Sequence, residues 1–157
     1  MKFANFVCFE ALVPGLKACD RDSAIAELVG LLDKAGKLGK GKCQEIIKAM
    51  IKRENEGSTG MGRGVAVPHI KHGAIKDVIA AVGISGSGID FSSLDKQPVY
   101  SVILLISPAN DPDKHLQAME SIFKHLQNEM FRSFLRQCQT SKQMEDLLKE
   151  ADENPYL

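Results

Sequence analysis

One apolar run constrains the fold of this chain more than any other stretch. Residues 99–106 read Val-Tyr-Ser-Val-Ile-Leu-Leu-Ile, with an apolar side chain at nearly every position. A strand exposed on one face alternates apolar and polar residues, whereas a strand covered on both faces is apolar almost throughout. The run therefore predicts a central strand whose sheet is covered on both sides by other elements.

Amphipathic helical patterns lie on both sides of this run in the sequence. Their apolar residues recur at three- and four-residue steps, and they predict helices at about 20–35, 42–56, 114–127, 131–135 and 140–150. Shorter strands are predicted at 65–70 and 78–85, with a weaker one at 16–19, a turn at 86–88 and a loose tail at 152–157. These elements predict one α/β domain over residues 1–157, a layer sandwich whose strand order stays open.

Composition excludes several classes of function. Twenty basic residues balance twenty acidic ones, so no global field draws the chain to nucleic acid or to anionic lipid. No apolar run approaches a membrane span and no signal-peptide pattern opens the chain, so we expect a cytoplasmic protein without membrane insertion. The four cysteines are scattered and form no C-x-x-C pair, so we expect reduced thiols, mostly in or near the core.

A glycine-rich stretch, residues 57–64, leads into Pro68-His69. Alternate glycines let the backbone turn tightly and bring its N–H groups close to an anion. A histidine that follows such a loop could meet a phosphoryl group, although a plain connection with a buried histidine remains an alternative. The residues predicted to bind phosphate in this loop are Ser58, Thr59, Gly60, Gly62 and Gly64.

Two further residues could act with His69. Arg53 falls in the last turn of the second predicted helix, on its apolar side, where a guanidinium needs an anion or a backbone carbonyl. A snorkelling arginine that caps carbonyls is the open alternative. His115 lies in the first turn of the third helix, where free N–H groups favour an anion, and it points toward the buried side. His125 and His72, in contrast, are expected to face solvent.

These residue types suit phosphoryl transfer. A neutral imidazole is a good nucleophile near pH 7, so His69 could attack a phosphoryl group, hold it as a phosphoramidate and pass it on. Arg53 and His115 would stabilise the charge on the phosphoryl oxygens. The sequence contains no nucleotide-binding motif, and this chemistry needs neither metal nor cofactor. Metal-dependent hydrolysis through His69 and His115 is an alternative that lacks a clearly spaced third ligand.

The segment from Arg53-Glu54 through His69 resembles the active-site signature of Enzyme IIA domains of the fructose/mannitol type. These domains belong to the bacterial phosphoenolpyruvate-dependent sugar phosphotransferase system and include stand-alone nitrogen-regulatory IIA proteins. The similarity covers about residues 16–148, and its later landmarks are Gly88-Ile89-Asp90-Phe91, Asp95, Pro98-Val99, Pro108 and His115-Leu116.

The resemblance implies a mixed β-sheet flanked by helices on both faces and a phosphohistidine at His69. It implies that Arg53 binds the phosphoryl group and that His115 lies beside the active histidine. The donor would be an HPr-like phosphocarrier protein. The residues that follow His69, Ile70-Lys71-His72, depart from the small or polar residues common there, which bears on partner preference.

The phosphoryl group would pass to a IIB domain or act as a regulatory signal toward a target protein. No fused IIB domain or membrane segment is present in the sequence, which slightly favours the regulatory role. A non-enzymatic interaction module without a phosphodonor is the alternative. Some of Met61, Val67 and Ile70 could form an exposed apolar patch for the donor, with ordinary core packing as the other interpretation.

Overall fold

Strand β6 (Val99–Pro108) lies at the centre of a six-stranded sheet in the computed structural model, which describes all 157 residues. The other strands are β1 (Val7–Val13), β2 (Gly60–Gly62), β3 (Val65–Ala66), β4 (His69–His72) and β5 (Ile79–Ile89). The helices are α1 (Phe3–Phe6), α2 (Arg21–Lys34), α3 (Cys43–Glu56), α4 (Pro112–Leu126), α5 (Glu129–Gln137) and α6 (Ser141–Glu153). None of these helices combines the length and the apolar character that a bilayer crossing requires.

The sheet is mixed, as predicted. Its main order is β1-β5-β6-β3-β2, and β4 pairs with β6 beyond β3. β5 runs antiparallel to β6, whereas β3 and β4 run parallel to β6 along its other edge. β1 is parallel to β5, and β2 forms an antiparallel hairpin with β3.

Helices cover both faces of the sheet, which confirms the interpretation of the apolar run. Ile103 and Leu105 of β6 point into one core cluster, and Val102 and Leu104 point into the other. All four are at most 1% exposed. The first cluster also contains residues of α1, α4, α5 and α6, and the second contains residues of α2 and α3. The two-sided burial follows directly from β6 being apolar at consecutive positions.

Local polar groups set where three helices begin. The Asp20 carboxylate accepts a hydrogen bond from Ser23 N at 2.8 Å, so Asp20 caps α2. Asp111 caps α4 in the same way, and the helix starts at Pro112, earlier than predicted. The Thr140 hydroxyl accepts a hydrogen bond from Gln143 N at 3.1 Å and so caps α6.

Two strand predictions were wrong for the same physical reason, an irregular register. The first strand is β1, not residues 16–19; its alternation is obscured by a register shift between Val7 and Leu12. The glycines at 86–88 do not form a turn between strands but lie inside β5, which runs on to Ile89 through another register shift. Gly88 adopts a φ of +88° there, a conformation that glycine reaches without strain.

The C-terminal residues and two histidines also differ from expectation. The tail is not loose: Leu157 is buried and its carbonyl accepts from His125 Nδ1. His125 is therefore buried rather than solvent-exposed, and α1 covers the helix side that had been expected to face water. His72 lies half-buried in β4 with its Nε2 3.1 Å from Glu45 Oε2, not in an exposed loop.

The cysteines follow the expectation except at one position. All four are free thiols. Cys8 is buried, and Cys43 and Cys138 are partly buried, where burial raises the pKa of both thiols. Cys19 is exposed, because it lies in the turn before α2 rather than in the strand that had been expected at 16–19.

Candidate functional site

Three residues that are distant in sequence line one open cleft of about 460 Å³: Arg53, His69 and His115. The ring centroids of His69 and His115 are 5.7 Å apart, with the rings inclined by 43°. The other lining residues are Ala49, Lys52, Glu56, Ile70 and Lys71. The structure thus brings together the three side chains that the sequence nominated for phosphoryl transfer.

The sheet explains this convergence. β4 and β6 are parallel, with His69 opposite Leu105, so both strands end at the same edge of the sheet. β6 ends at Pro108 and α4 begins at Pro112, which places His115 beside that edge. Arg53 reaches the same place from the last turn of α3, which packs against β4. Ligand sites commonly form where parallel strands end and the following helices begin.

Pro68 separates β3 from β4 and helps to present His69. Proline has no N–H and cannot donate to the neighbouring strand, so the ladder is interrupted there and the strand predicted at 65–70 is divided into β3 and β4. The Pro68 carbonyl still accepts from Leu105 N at 2.9 Å, which keeps the segment against β6. His69 is the first residue of the renewed strand and is half-buried.

The hydrogen bond of His69 fixes its tautomer. Its Nδ1 lies 2.8 Å from the carbonyl oxygen of Val67. A carbonyl oxygen only accepts, so Nδ1 must carry the hydrogen and donate it. In the neutral ring the lone pair is then on Nε2. The ring nitrogen of His69 that keeps a free lone pair is therefore Nε2.

His115 is suited to act as a neutral hydrogen-bond donor. Its Nδ1 is 2.7 Å from the hydroxyl of Ser107, a residue that is fully buried. Burial lowers the pKa of His115 below its ordinary value, and the neighbouring His69 and Lys71 lower it further. The Ser107 hydroxyl can donate to Nδ1, and in that arrangement Nε2 of His115 carries the hydrogen.

Arg53 satisfies both interpretations that the sequence left open. Its Nη1 donates to the carbonyl of Gly57 at 2.7 Å, so the arginine caps the end of α3. The half-buried side chain also lines the cleft, where its remaining N–H donors can meet an anion. Lys52 and Lys71 add positive charge to the lining against the single carboxylate of Glu56. The cleft therefore favours an anionic group.

The glycine-rich stretch builds a hairpin rather than a phosphate cradle. β2 and β3 are joined by Arg63 and Gly64, with φ angles of +59° and +79°, the pattern of a tight two-residue hairpin turn. The Asp95 carboxylate accepts from Arg63 N at 2.9 Å and from Gln97 N at 3.0 Å, and these hydrogen bonds lower the pKa of Asp95. The hairpin lies along β6, not in the cleft.

The predicted phosphate-loop residues do not join His69 in the cleft. None of Ser58, Thr59, Gly60, Gly62 and Gly64 is among its lining residues. The Ser58 hydroxyl bonds to the carbonyl of Phe91 and also accepts from Gly60 N. The Thr59 hydroxyl bonds to the buried carboxylate of Glu54. Both hydroxyls are used within the protein, which corrects the expectation that they face an anion.

Several residues around the site had little signal in the sequence. Ser107 directly follows the apolar run of β6, and a polar residue that ends an apolar strand can turn toward the next helix. Lys71 follows His69 by two positions, and the strand period of two places both on one face. Lys52 directly precedes Arg53 and had no comparable signal.

The expected apolar docking patch is not present as such. Val67 and Ile70 are buried, in agreement with the core-packing interpretation. Met61 is 42% exposed but does not line the cleft. Leu116, next to His115 in sequence, is an exposed large apolar side chain, at 57%.

No group of three His, Cys, Asp or Glu side chains is arranged to hold a metal ion. The pair of His69 and His115 therefore has no third protein ligand, which the hydrolytic alternative would require.

Known proteins resemble the chain over most of its length. Residues 10–151 match the family described as "Phosphoenolpyruvate-dependent sugar phosphotransferase system, EIIA 2". The chain is 32% identical over 136 residues to a nitrogen regulatory protein of Bradyrhizobium diazoefficiens, covering 87% of each. It is 29% identical over 133 residues to the fructose-specific EIIA component of Haloferax volcanii, covering 85% of each. It also matches the fructose-specific EIIABC component of Bacillus subtilis at 29% identity, where 97% of this chain spans 24% of that protein.

Solved structures share the fold at lower identity. The nitrogen regulatory protein IIA-Ntr of Neisseria meningitidis superimposes with a TM-score of 0.82 at 22% identity, covering 91% of this chain and 96% of that one. IIA mannitol of Escherichia coli gives a TM-score of 0.74 at 24% identity, covering 88% and 96% respectively. These similarities establish the fold.

Proposed function

The chain belongs to the EIIA 2 family of the phosphoenolpyruvate-dependent sugar phosphotransferase system, and we propose that it carries a phosphoryl group on Nε2 of His69. The family supports a phosphotransferase role in general. The observation that carries the finer proposal is the hydrogen bond from His69 Nδ1 to the carbonyl of Val67, because it leaves the Nε2 lone pair free. The ring lies in a cleft with Arg53 and His115.

The transfer is a displacement at phosphorus. The Nε2 lone pair forms a bond to the phosphorus atom while the bond from phosphorus to the donor nitrogen breaks, and the donor nitrogen keeps that electron pair. The Nδ1 proton stays on the His69 ring, held by the Val67 carbonyl. The reverse steps deliver the group to an acceptor. No nucleotide and no metal ion enters either step.

Arg53 and His115 bind the phosphoryl oxygens in this mechanism. The guanidinium of Arg53 offers a planar pair of donors that matches phosphate oxygens. The lowered pKa of His115 favours its neutral form, and the ring can donate from Nε2 when Ser107 donates to Nδ1. Lys52 and Lys71 supplement the positive field of the cleft. Donors that are fixed in place before the reaction stabilise developing charge at little reorganisation cost.

The donor in this proposal is an HPr-like phosphocarrier protein in the cytoplasm, and the acceptor is a IIB domain or a regulated target. One solved relative in fold is described as a complex of enzyme IIA mannitol with phosphorylated enzyme IIB mannitol of Escherichia coli. Relatives in sequence include both fructose-specific components and nitrogen regulatory proteins. About two negative charges appear at the site on phosphorylation, which suffices to change a protein partner's affinity.

The direct test is incubation with labelled phosphoenolpyruvate, Enzyme I and an HPr-like protein. The wild-type chain is expected to take up one acid-labile label, and His69→Ala is expected to take up none. Phosphorus and nitrogen NMR of the product should place the N–P bond at Nε2. Full labelling of folded His69→Ala, or a bond at Nδ1, would refute the proposed acceptor atom.

A second experiment distinguishes sugar transport from regulation of a target protein. Phosphorylated protein is mixed with the IIB domain of the same organism, and transfer of the label to that domain demonstrates sugar transport chemistry. A label that stays on His69, together with target proteins that bind only one form of the chain, demonstrates regulation instead. The alternative of a module without a donor predicts that no phosphocarrier of the organism labels the chain at all.

A further inference from the structure

A buried carboxylate, Glu54, lies one residue after Arg53 and has no part in the mechanism described so far. It is 3% exposed. Its Oε2 accepts from Thr59 N at 3.1 Å, and its Oε1 accepts from the Thr59 hydroxyl. Thr59 is itself only 7% exposed. A carboxylate is rarely buried without a cation, so this pair calls for a physical explanation.

The contacts of Thr59 continue toward the active ring. Its carbonyl accepts from Val67 N at 3.1 Å, and the Val67 carbonyl in turn accepts from His69 Nδ1 at 2.8 Å. Glu54, Thr59, Val67 and His69 are thus joined by an unbroken series of hydrogen bonds. Residues 59 and 67 lie on either side of the hairpin, so the series also bridges the base of that hairpin.

We propose that Glu54 and Thr59 are positioning residues that hold the Val67 carbonyl beneath His69 and so fix its nucleophilic tautomer; this inference rests on the phosphoryl-carrier function proposed above. The carboxylate accepts two hydrogen bonds, one from the backbone N–H and one from the hydroxyl of Thr59, and these set both the position and the orientation of Thr59. The next bond fixes Val67 at its N–H, and Val67 presents its carbonyl to Nδ1. The effect is geometric, because no conjugated path links the Val67 N–H to its own carbonyl.

The same turn of α3 also positions Arg53. Its guanidinium projects into the cleft, and its Nη1 bond to the Gly57 carbonyl ties the helix end to the following chain. Glu54, the next residue, positions the nucleophile His69 through Thr59 and Val67. One rigid helix end therefore sets the phosphoryl-binding group and the nucleophile relative to each other. Small displacements matter here, because a misplacement of about 1 Å can cost on the order of 100-fold in rate.

Burial is what makes the carboxylate effective in this role. An exposed glutamate would exchange its partners with water, whereas Glu54 is enclosed with Thr59 and keeps both bonds. The series also explains why the Thr59 hydroxyl faces the interior instead of the anion that the sequence had suggested. During transfer the ring gains positive character, and the Val67 carbonyl remains in place to accept the hydrogen bond from Nδ1–H.

The test uses Thr59→Val, which removes the hydroxyl at nearly constant volume, and Thr59→Ser, which retains it. With saturating phosphorylated HPr-like protein, Thr59→Val should transfer about 10- to 100-fold more slowly, with little change in the KM for the donor. Thr59→Ser should stay within about threefold of wild type, since both Thr59 donors to Glu54 remain. Glu54→Gln, which loses one acceptor oxygen, should slow transfer by about as much as Thr59→Val.

Ring spectroscopy gives a readout that a loss of stability alone would not move. The ¹⁵N shifts of His69 in the wild-type protein should show a protonated Nδ1 and an unprotonated Nε2. In Thr59→Val and Glu54→Gln the two shifts should move toward each other as both tautomers become populated. Thr140→Val is the matched control: it removes the other threonine hydroxyl, the cap of α6, and should lower stability without changing rate or tautomer.

The outcomes separate this inference from the function on which it rests. If the wild-type chain takes no label, the phosphoryl-carrier function fails. If the wild type is labelled but folded Thr59→Val reacts at the wild-type rate with an unchanged His69 tautomer, the positioning role fails and the function stands. If Thr59→Val does not fold, the transfer rate of Glu54→Gln and the ¹⁵N spectrum of wild-type His69 test the positioning role instead. A wild-type His69 that carries its proton on Nε2 would overturn the inference.

Discussion

His69 and His125 make similar hydrogen bonds in two different surroundings. Each uses Nδ1 to donate to a main-chain oxygen, the carbonyl oxygen of Val67 for His69 and a main-chain oxygen of Leu157 for His125. The ring of His125 lies 4.9 Å from Phe3 and 5.4 Å from Phe131, measured between centroids, and the residue is 6% exposed. The ring of His69 instead borders an open cleft with a second histidine and an arginine.

The difference indicates that a fixed tautomer alone does not make a histidine a nucleophile. In His125 the bond satisfies a polar group inside the core and connects α4 to the C-terminal residues. In His69 it leaves Nε2 accessible to a group that carries negative charge. What distinguishes the two histidines is access and the nearby cations, not the hydrogen bond itself.

The largest effects should come from exchanging each histidine for glutamine. His69→Gln is expected to abolish phosphorylation, with a loss beyond about 1000-fold, because an amide nitrogen has no lone pair suited to attack phosphorus. His125→Gln is expected to keep the transfer rate and to lower the free energy of unfolding by about 1–3 kcal/mol, since a buried donor and its carbonyl lose their geometry. Labelling kinetics and urea unfolding on both variants measure the two effects.

The distinction between a reactive His69 and a structural His125 would be contradicted if the two glutamine variants behaved alike. Equal loss of transfer in both, with both folded at the assay temperature, would mean that His125 acts in the chemistry. A similar stability loss in His69→Gln without loss of label would remove His69 from its proposed role.

Substitution of Arg53 should give the next largest loss of transfer rate. Arg53→Lys keeps the charge but loses the planar pair of donors and the bond to the Gly57 carbonyl, so we expect transfer to fall by about 100-fold. Arg21, which pairs with Asp22 and Asn55 away from the cleft, provides the control in Arg21→Lys. A rate for Arg53→Lys within twofold of wild type would indicate that charge alone is sufficient.

Much of this site could be predicted from the sequence, because its signals are local. Arg53 at a helix end, His115 at a helix start and His69 after a proline can each be located by periodicity and by helix-end residues. The apolar run of β6 likewise predicted a strand covered on both faces. These predictions need only neighbours within a few positions along the chain.

The parts that could not be predicted depend on distant contacts. The burial of His125 depends on Phe3 in α1, which covers the side of α4 that the helical pattern leaves polar. The hairpin character of residues 57–64 depends on Asp95, and the use of Thr59 depends on the burial of Glu54 by tertiary packing. Glycine spacing alone fits both a phosphate cradle and a tight hairpin.

The pH dependence of stability that arises from His115 should give a smaller effect. Its pKa is lower in the folded protein than the value of about 6.5 in the unfolded chain. The unfolded state therefore binds more protons between these two values. The stabilising contribution is complete above about pH 6.5 and is lost as pH falls through the folded pKa.

Urea unfolding at pH values from 5 to 8 measures this contribution. The wild type should lose stability on acidification, and His115→Gln should lose less. Phosphorylation of His69 should raise the pKa of His115, because a nearby anion favours the imidazolium. An NMR titration in which the His115 pKa falls or stays constant on phosphorylation would place the phosphoryl group away from His115.

Lys71 should give the smallest effect, because it is exposed and acts through charge alone. It lines the cleft and lowers the pKa of His115. Lys71→Gln is therefore expected to raise that pKa slightly and to slow transfer by about two- to fivefold at low salt, an effect that should shrink as added salt screens the field. Lys142→Gln, on an exposed lysine paired with Asp146 in α6, is the control that should change neither quantity. A loss of transfer rate in Lys71→Gln that does not depend on salt would instead indicate a direct contact with the phosphoryl group. Lys71 would then bind the phosphoryl oxygens, as proposed for Arg53, and would not act only through long-range electrostatic attraction.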